Sequence, residues 1–96
     1  MSLKMATNNL RHETRKLAPS TVLWEARAKN LIKSELKRVG LGYEELADRL
    51  SDIGVRENAR NLNNKINRGG FSAAFLLQCL SVIGAMNVRL EWPSDS

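Results

Sequence analysis

Apolar residues recur at intervals of three and four along most of the chain, with polar residues between them. This spacing places the apolar side chains on one face of an α-helix. It predicts four helices, over residues 20–39, 43–53, 56–68 and 73–83. A glycine, which readily ends a helix, follows each one: Gly40, Gly54, Gly69 and Gly84. The pattern therefore predicts an all-α domain.

The first predicted helix begins after Pro19, with Ser20 or Thr21 as its N-cap. The apolar residues of its inner face are Trp24, Ala28, Leu31, Ile32, Leu36 and Val39. The lysines that lie off that face are Lys29, Lys33 and Lys37. We interpret these lysines as a solvated surface rather than as a track for phosphate groups, because charged residues usually occupy the exposed side of a helix.

The second and fourth predicted helices supply most of the remaining core. The apolar stripe of the second consists of Leu46, Ala47, Leu50 and Ile53. The fourth is apolar on nearly every side, so we expect it to be buried on all sides, as a central post for the other three. Cys79 lies within it and is interpreted as a small buried hydrophobe rather than as a reactive thiol.

The two ends of the chain lack helical periodicity. Residues 1–19 are polar and basic, and we predict a flexible tail there, with an arm along a phosphate backbone as the alternative. Residues 87–96 begin with an alternation that places Val88, Leu90 and Trp92 on one side, which is typical of a strand. This segment either packs on the core as an extended tail or pairs with the same strand of a second chain. We favour a homodimer through these three residues.

The composition of the 96 residues is that of one ordinary globular domain. No apolar run approaches the ~20 residues of a membrane helix, and the N-terminus lacks the apolar core of a secretory signal, so we expect a cytoplasmic protein. The single cysteine, Cys79, and the single histidine, His12, provide neither a metal cluster nor a nucleophile pair. No acid–base pair stands apart from the surface charges. We therefore predict no enzymatic activity and no cofactor.

The net charge of +5 favours a polyanionic partner. Four basic residues and one acidic residue lie in the first 19 positions, however, which leaves the rest of the chain only weakly basic. Charge alone is therefore weak support for nucleic-acid binding by the folded part of the chain.

The stretch from Arg56 to Ser72 carries the most informative polar pattern. Ala59, Leu62 and Ile66 form one thin apolar stripe of the predicted helix, and its remaining surface is rich in asparagine, arginine and lysine. Asparagine is unfavourable inside a helix because its amide competes for backbone partners. Its repeated use here therefore points to contacts outside the helix.

These polar side chains have the chemistry of DNA recognition. An asparagine amide suits the edge of adenine, and arginine or lysine suits guanine or phosphate. The residues predicted to lie near base edges are Arg56, Arg60, Asn61 and Asn64. The residues predicted to meet phosphates are Lys65, Arg68 and Ser72. The competing interpretation is an ordinary solvated helix face.

Two segments resemble phage-repressor-like helix-turn-helix domains. Residues 40–50, G-L-G-Y-E-E-L-A-D-R-L, resemble the first half of that motif, with Ala47 at its small position. Residues 66–69, I-N-R-G, resemble the end of its recognition helix. The resemblance implies a compact four-helix domain over residues 20–86, double-stranded DNA as the partner and a role in bacterial transcription regulation.

The chain departs from that family in the interval between Ala47 and Gly69, which is longer by about half a dozen residues. We place the extra residues in the turn at 51–57, where they would re-aim the third helix relative to a DNA groove. The runs W-E-A-R-A-K-N-L-I-K and R-G-G-F-S-A-A-F-L-L-Q-C-L resemble more closely a small bacterial family known only as a domain of unknown function.

Two other functions stay open at this point. A protein-interaction module on the same fold would use Leu90 and Trp92, or the turn at Tyr43, as its anchor. RNA binding is less favoured because the phenylalanines and tryptophans are assigned to packing or to the tail, which leaves no aromatic platform for stacked bases.

Overall fold

The computed structural model describes residues 19–91, and four α-helices account for most of them. Their bounds are Pro19–Val39 for α1, Tyr43–Asp52 for α2, Ala59–Arg68 for α3 and Ala73–Ile83 for α4. No strand is present between residues 19 and 91. The predicted all-α, four-helix fold is therefore confirmed. Residues 1–18 of the predicted tail at 1–19 and the chain end at 92–96 lie outside the described residues, and Pro19 belongs to α1.

Each helix contributes an apolar stripe to a single core. The buried side chains of this core are Ile32, Leu36, Leu46, Ala47, Leu50, Leu62, Ile66, Phe75, Cys79 and Ile83. Both α1 and α2 pack against α3 and against α4, so the four apolar faces meet in the middle. Burying one such side chain contributes about 1.5–3 kcal/mol. This burial is what stabilises α2 and α3, since isolated helices shorter than about 12 residues are marginal in water.

The expectation that α4 is buried on all sides is wrong. The face that contains Phe75 and Cys79 is buried, but Leu77 is 65% exposed. Like α3, α4 packs against α1 and α2, and it is not a central post. Two neighbouring helices cover one side of α4 and leave its other side to solvent.

The first helix is much longer than the helices that pack against it. It has 21 residues, against 10 in α2, 10 in α3 and 11 in α4. Its ends therefore extend beyond the core, and Trp24 is 50% exposed and Val39 39% exposed, contrary to the predicted inner face. The helix already includes Pro19, so the predicted N-cap at Ser20 or Thr21 is also wrong. No helix within residues 19–91 is long and apolar enough to cross a membrane.

Residues 53–58 connect α2 and α3. The Val55 N–H donates to the Leu50 carbonyl oxygen at 2.9 Å, and the Val55 side chain packs against the core. Ile53, which was predicted to belong to the inner stripe of α2, is 50% exposed because the helix ends one residue before it. The connection is thus anchored by Val55 in the core and by the partly buried Glu57, whose Oε2 lies 2.7 Å from Lys65 Nζ of α3, while Ile53 and Arg56 are exposed.

The start of α3 is set by an asparagine cap. The side-chain oxygen of Asn58 accepts a hydrogen bond from the Asn61 N–H at 2.8 Å. A residue that caps the first turn in this way has extended backbone geometry and stands outside the helix. The helix therefore begins at Ala59, and its predicted start at Arg56 is wrong.

The end of α3 comes very close to α1. Gly69 has a φ of 76°, in the left-handed region that favours glycine. A Cβ at this position would lie 2.7 Å from the Glu25 carbonyl oxygen, and a Cβ at Gly70 would lie 3.2 Å from Glu25 Oε2. The two glycines therefore allow the end of α3 to pack directly on the backbone of α1.

Cys79 is the one cysteine of the chain, and it is fully buried. Burial raises the pKa of its thiol to about 12, an effect that the nearby Lys65 opposes and Glu57 reinforces. The side chain therefore packs as a neutral thiol, in agreement with its interpretation as a small hydrophobe.

The burial of Cys79 predicts a loss of stability at alkaline pH. Below pH 9.0, the ordinary pKa of the group, the thiol is protonated in the folded and in the unfolded chain. Between pH 9.0 and about 12 it ionises only in the unfolded chain, so the free energy of unfolding falls as the pH rises. From about pH 8 to about pH 10, we expect the wild-type protein to lose about 1.4 kcal/mol more than Cys79→Ala in urea denaturation. Equal losses would contradict this prediction.

Candidate nucleic-acid interface

The exposed side of α3 is a row of polar side chains opposite a narrow buried stripe. Leu62 and Ile66 are fully buried, whereas Arg60, Asn64 and Arg68 follow one another at intervals of four residues and are exposed. This spacing aligns the three along one side of the helix. The name "outward face of α3" is used below for Arg60, Asn61, Asn64 and Arg68. Within residues 19–91, none of these four side chains forms a hydrogen bond or an ion pair.

Two further asparagines form a ladder beside the outward face. The Asn67 side-chain nitrogen donates to the Asn63 carbonyl oxygen at 2.8 Å and to Asn63 Oδ1 at 2.6 Å. Asn67 Oδ1 accepts a hydrogen bond from Lys33 Nζ of α1 at 2.8 Å. These hydrogen bonds link α3 to α1 and place the ammonium group of Lys33 beside the outward face of α3. The sequence pattern did not predict a role for Asn63 and Asn67. Their four-residue spacing, which places the two side chains next to each other on a helix, was the feature that indicated their contact.

Lys33 belongs to the row of lysines that the sequence analysis assigned to solvent. Together with Lys37 it also borders a shallow depression of about 230 Å³ beside Gly42 and Tyr43, at the start of α2. The Gly42 N–H already donates to Glu45 Oε1 at 2.8 Å. The acidic first turn of α2 is unfavourable for an anion. The two lysines are therefore the groups suited to a phosphate at this end of the molecule.

Three of the predicted DNA contacts differ from the outward face in their surroundings. Arg56 is exposed but precedes α3 instead of lying on its first turn. Lys65 Nζ lies 2.7 Å from Glu57 Oε2 and 4.7 Å from the centroid of the Phe75 ring. Ser72 is the N-cap of α4, and its hydroxyl oxygen accepts the Phe75 N–H at 3.0 Å. Lys65 and Ser72 therefore have structural partners of their own.

Comparison with known proteins connects the chain to one family. Residues 24–88, about two thirds of the chain, match the family described as Domain of unknown function (DUF6471). This match confirms the expected likeness to a family of unknown function. No curated protein and no solved structure matches the chain. The resemblance to phage-repressor-like domains stays a prediction.

Proposed function

We propose that this chain, which belongs to the DUF6471 family of domains of unknown function, is the DNA-binding domain of a bacterial, cytoplasmic transcriptional regulator. In this proposal α3 lies in the major groove of double-stranded DNA, and Arg60, Asn61 and Asn64 of its outward face meet the base edges. One observation carries the proposal. The row of arginine and asparagine side chains has no partner within residues 19–91, yet it is held at helical spacing above a fully buried stripe.

The chemistry of the outward face suits base edges in the major groove. The guanidinium of Arg60 can donate two hydrogen bonds to guanine, and the amide of Asn64 can donate to and accept from adenine. Four residues of helix separate their Cα atoms by about 6 Å along the axis. The two side chains would therefore reach base pairs close together in one groove.

The structure reduces the number of asparagines in and around α3 that call for an external partner. Asn58 caps α3, and Asn63 and Asn67 bond to each other, so these three are accounted for by the fold. Asn61 and Asn64 have no side-chain hydrogen bond within residues 19–91. An external partner explains why two such residues occupy a helix that they do not stabilise.

Cations around α3 would set its position on the phosphate backbone. Arg68 lies at the end of the outward face, Arg56 lies in the preceding connection, and Lys33 is held against Asn67. Contacts of this kind give affinity and register rather than sequence preference. Two copies joined through their C-terminal segments would bind half-sites about one helical turn apart.

A protein-interaction module is the alternative that a specific observation favours. Trp24, Leu77 and Leu90 are large apolar side chains, and each is at least 50% exposed. Trp24 and Leu90 line one groove with other apolar residues, and an exposed apolar patch is typical of a protein-binding surface. None of the three belongs to the outward face of α3, so substitutions can separate the two functions.

The proposal is tested by binding of the full chain to duplex DNA of random sequence at two salt concentrations, followed by selection of bound sequences. For about three phosphate contacts we expect affinity to fall about fortyfold between about 50 and 200 mM salt. The selected duplexes should share a site that contains guanine and adenine. The proposal fails if no duplex is bound with salt-dependent affinity, or if single-stranded RNA is bound more tightly than every duplex.

A further inference from the structure

Three lysines form a row along one side of α1. Lys29, Lys33 and Lys37 follow one another at intervals of four residues, and this spacing aligns them with a rise of about 6 Å between neighbours. Lys33 and Lys37 are exposed, and Lys29 is half-buried. Within residues 19–91, Lys29 and Lys37 form no hydrogen bond or ion pair. We call these three residues the lysine row of α1.

The lysine row lies on the side of α1 that faces α3. Lys33 Nζ donates to Asn67 Oδ1 of α3 at 2.8 Å. Glu25, which precedes the row by one turn of α1, lies against the end of α3, where a Cβ at Gly70 would be 3.2 Å from Glu25 Oε2. The row therefore runs beside α3, next to the asparagine ladder that borders its outward face.

The other helix that packs beside α3 carries the opposite charge. Both α1 and α2 contact α3, but the exposed residues of α2 with the same four-residue spacing are Glu44, Asp48 and Asp52. The Gly42 N–H at the start of α2 donates to Glu45 Oε1 at 2.8 Å, so it is not available to an anion. A polyanion beside α3 is therefore attracted by α1 and repelled by α2.

A helix that lies in the major groove has a phosphate strand on each side. The groove is about 12 Å wide, which is close to the diameter of a helix with its side chains. In helix-turn-helix complexes, the helix before the recognition helix crosses the phosphate backbone. That helix would be α2 in this chain, and its acidic row is unsuited to the contact. The lysine row of α1 has the charge that the contact requires.

We infer that the lysine row of α1, and not α2, binds the phosphate backbone beside the groove that α3 occupies. The partner is one strand of duplex DNA, and each lysine meets a phosphate of its own because neighbours are about 6 Å apart along the helix. Asn67 is a positioning residue, since its hydrogen bond holds the Lys33 ammonium next to α3. The inference rests on the proposed function, and it replaces the interpretation of these lysines as a solvated surface.

Salt dependence tests the inference, with the full chain and a selected duplex in fluorescence anisotropy. Phosphate contacts from Lys33, Arg56 and Arg68 alone correspond to a fall in affinity of about fortyfold between about 50 and 200 mM salt. Contacts from Lys29 and Lys37 raise the total to about five, and the expected fall for the wild-type protein becomes about five-hundredfold. The double variant with Lys29→Gln and Lys37→Gln should return to about fortyfold.

Lys37→Gln and Arg38→Gln form a matched pair of single variants. Each removes one positive charge from the end of α1, but Arg38 lies about 100° further around the helix and is paired with Glu35 at 2.8 Å. Lys37→Gln leaves about four phosphate contacts, so the fall in affinity should be about 150-fold. Arg38→Gln should retain a fall of about five-hundredfold.

The positioning role of Asn67 is tested by a double-mutant cycle measured on the same duplex. Asn67→Leu should weaken binding in the wild-type background, because the Lys33 ammonium loses its acceptor. It should have no further effect when combined with Lys33→Ala, since Asn67 acts through that lysine. A general disturbance of α3 would instead weaken binding equally in both backgrounds, which would overturn this role.

The inference is overturned if the wild-type affinity falls only about fortyfold, if the double lysine variant retains the wild-type salt dependence, or if Arg38→Gln reduces it as much as Lys37→Gln. In each of these outcomes the chain still binds a duplex, so the proposed function stands. If no duplex is bound with salt-dependent affinity, both the inference and the proposed function fail. Circular dichroism of each lysine variant should match the wild-type spectrum, since Lys29 and Lys37 have no hydrogen bond or ion pair within residues 19–91.

Discussion

Gly69→Ala is expected to lower the free energy of unfolding by about 3 kcal/mol, from left-handed backbone strain and overpacking together. Gly69 has a φ of 76°, where a side chain is strained. A Cβ there would also lie 2.7 Å from the Glu25 carbonyl oxygen, closer than real Cβ contacts. That oxygen belongs to the backbone of α1, so relief requires α3 to move away from α1. Urea denaturation followed by circular dichroism measures the loss.

Gly84→Ala is the matched control for this prediction. Gly84 ends α4 as Gly69 ends α3, and its φ of 89° is also left-handed. A Cβ at Gly84, however, would meet nothing within 4 Å. The control therefore retains the backbone strain, about 1 kcal/mol, without the clash. If the two variants lose the same stability, the close approach of α3 to α1 is not what requires glycine at position 69.

The second large effect is expected in DNA binding. Arg60→Ala and Asn64→Ala should each weaken the complex with a selected duplex by about 1–3 kcal/mol, because each substitution removes the side-chain groups that hydrogen-bond to a base edge in the proposed complex. The two side chains lie one turn apart, so the double variant should depart from simple additivity. Electrophoretic mobility or fluorescence anisotropy with the selected duplex measures the change. Folding should not suffer, since neither side chain has a hydrogen bond within residues 19–91.

Arg38→Ala is the charge-matched control for Arg60→Ala. Arg38 is exposed on α1, its Nη2 lies 2.8 Å from Glu35 Oε1, and it is not one of the residues of the outward face of α3. Its removal changes the net charge by the same amount. We expect it to weaken binding of all duplexes slightly and to leave the sequence preference unchanged. If Arg38→Ala and Arg60→Ala weaken the selected complex equally, general charge and not base contact governs binding.

The positions of the helices could be predicted because helix formation depends on residues three and four apart. The predicted bounds of α2 and α4 agree with the structure within one residue. The start of α3 was predicted too early because Arg56 fits the same polar pattern as the residues that follow Asn58. Only the hydrogen bond from Asn61 to Asn58 identifies the boundary.

The candidate interface was predictable to the extent that it lies on one helix. Arg60, Asn64 and Arg68 share a side of α3 through their spacing alone. Lys65 fits the same cationic pattern, but its partner Glu57 lies before α3 and the Phe75 ring lies on α4. Contacts of this kind depend on how separate elements pack together. The spacing of residues along one helix does not predict that packing.

Local periodicity was thus enough to specify four helices, their order and the polar side of α3. It could not decide which apolar residues are covered. Trp24 and Leu77 follow the same pattern as Ile32 and Cys79, yet the first two are at least half exposed and the last two are fully buried. Trp24 is exposed because α1 is longer than the helices that pack against it, and Leu77 is exposed because α4 has neighbouring helices on one side only. Burial depends on residues distant along the chain, and only the packed fold brings those residues together.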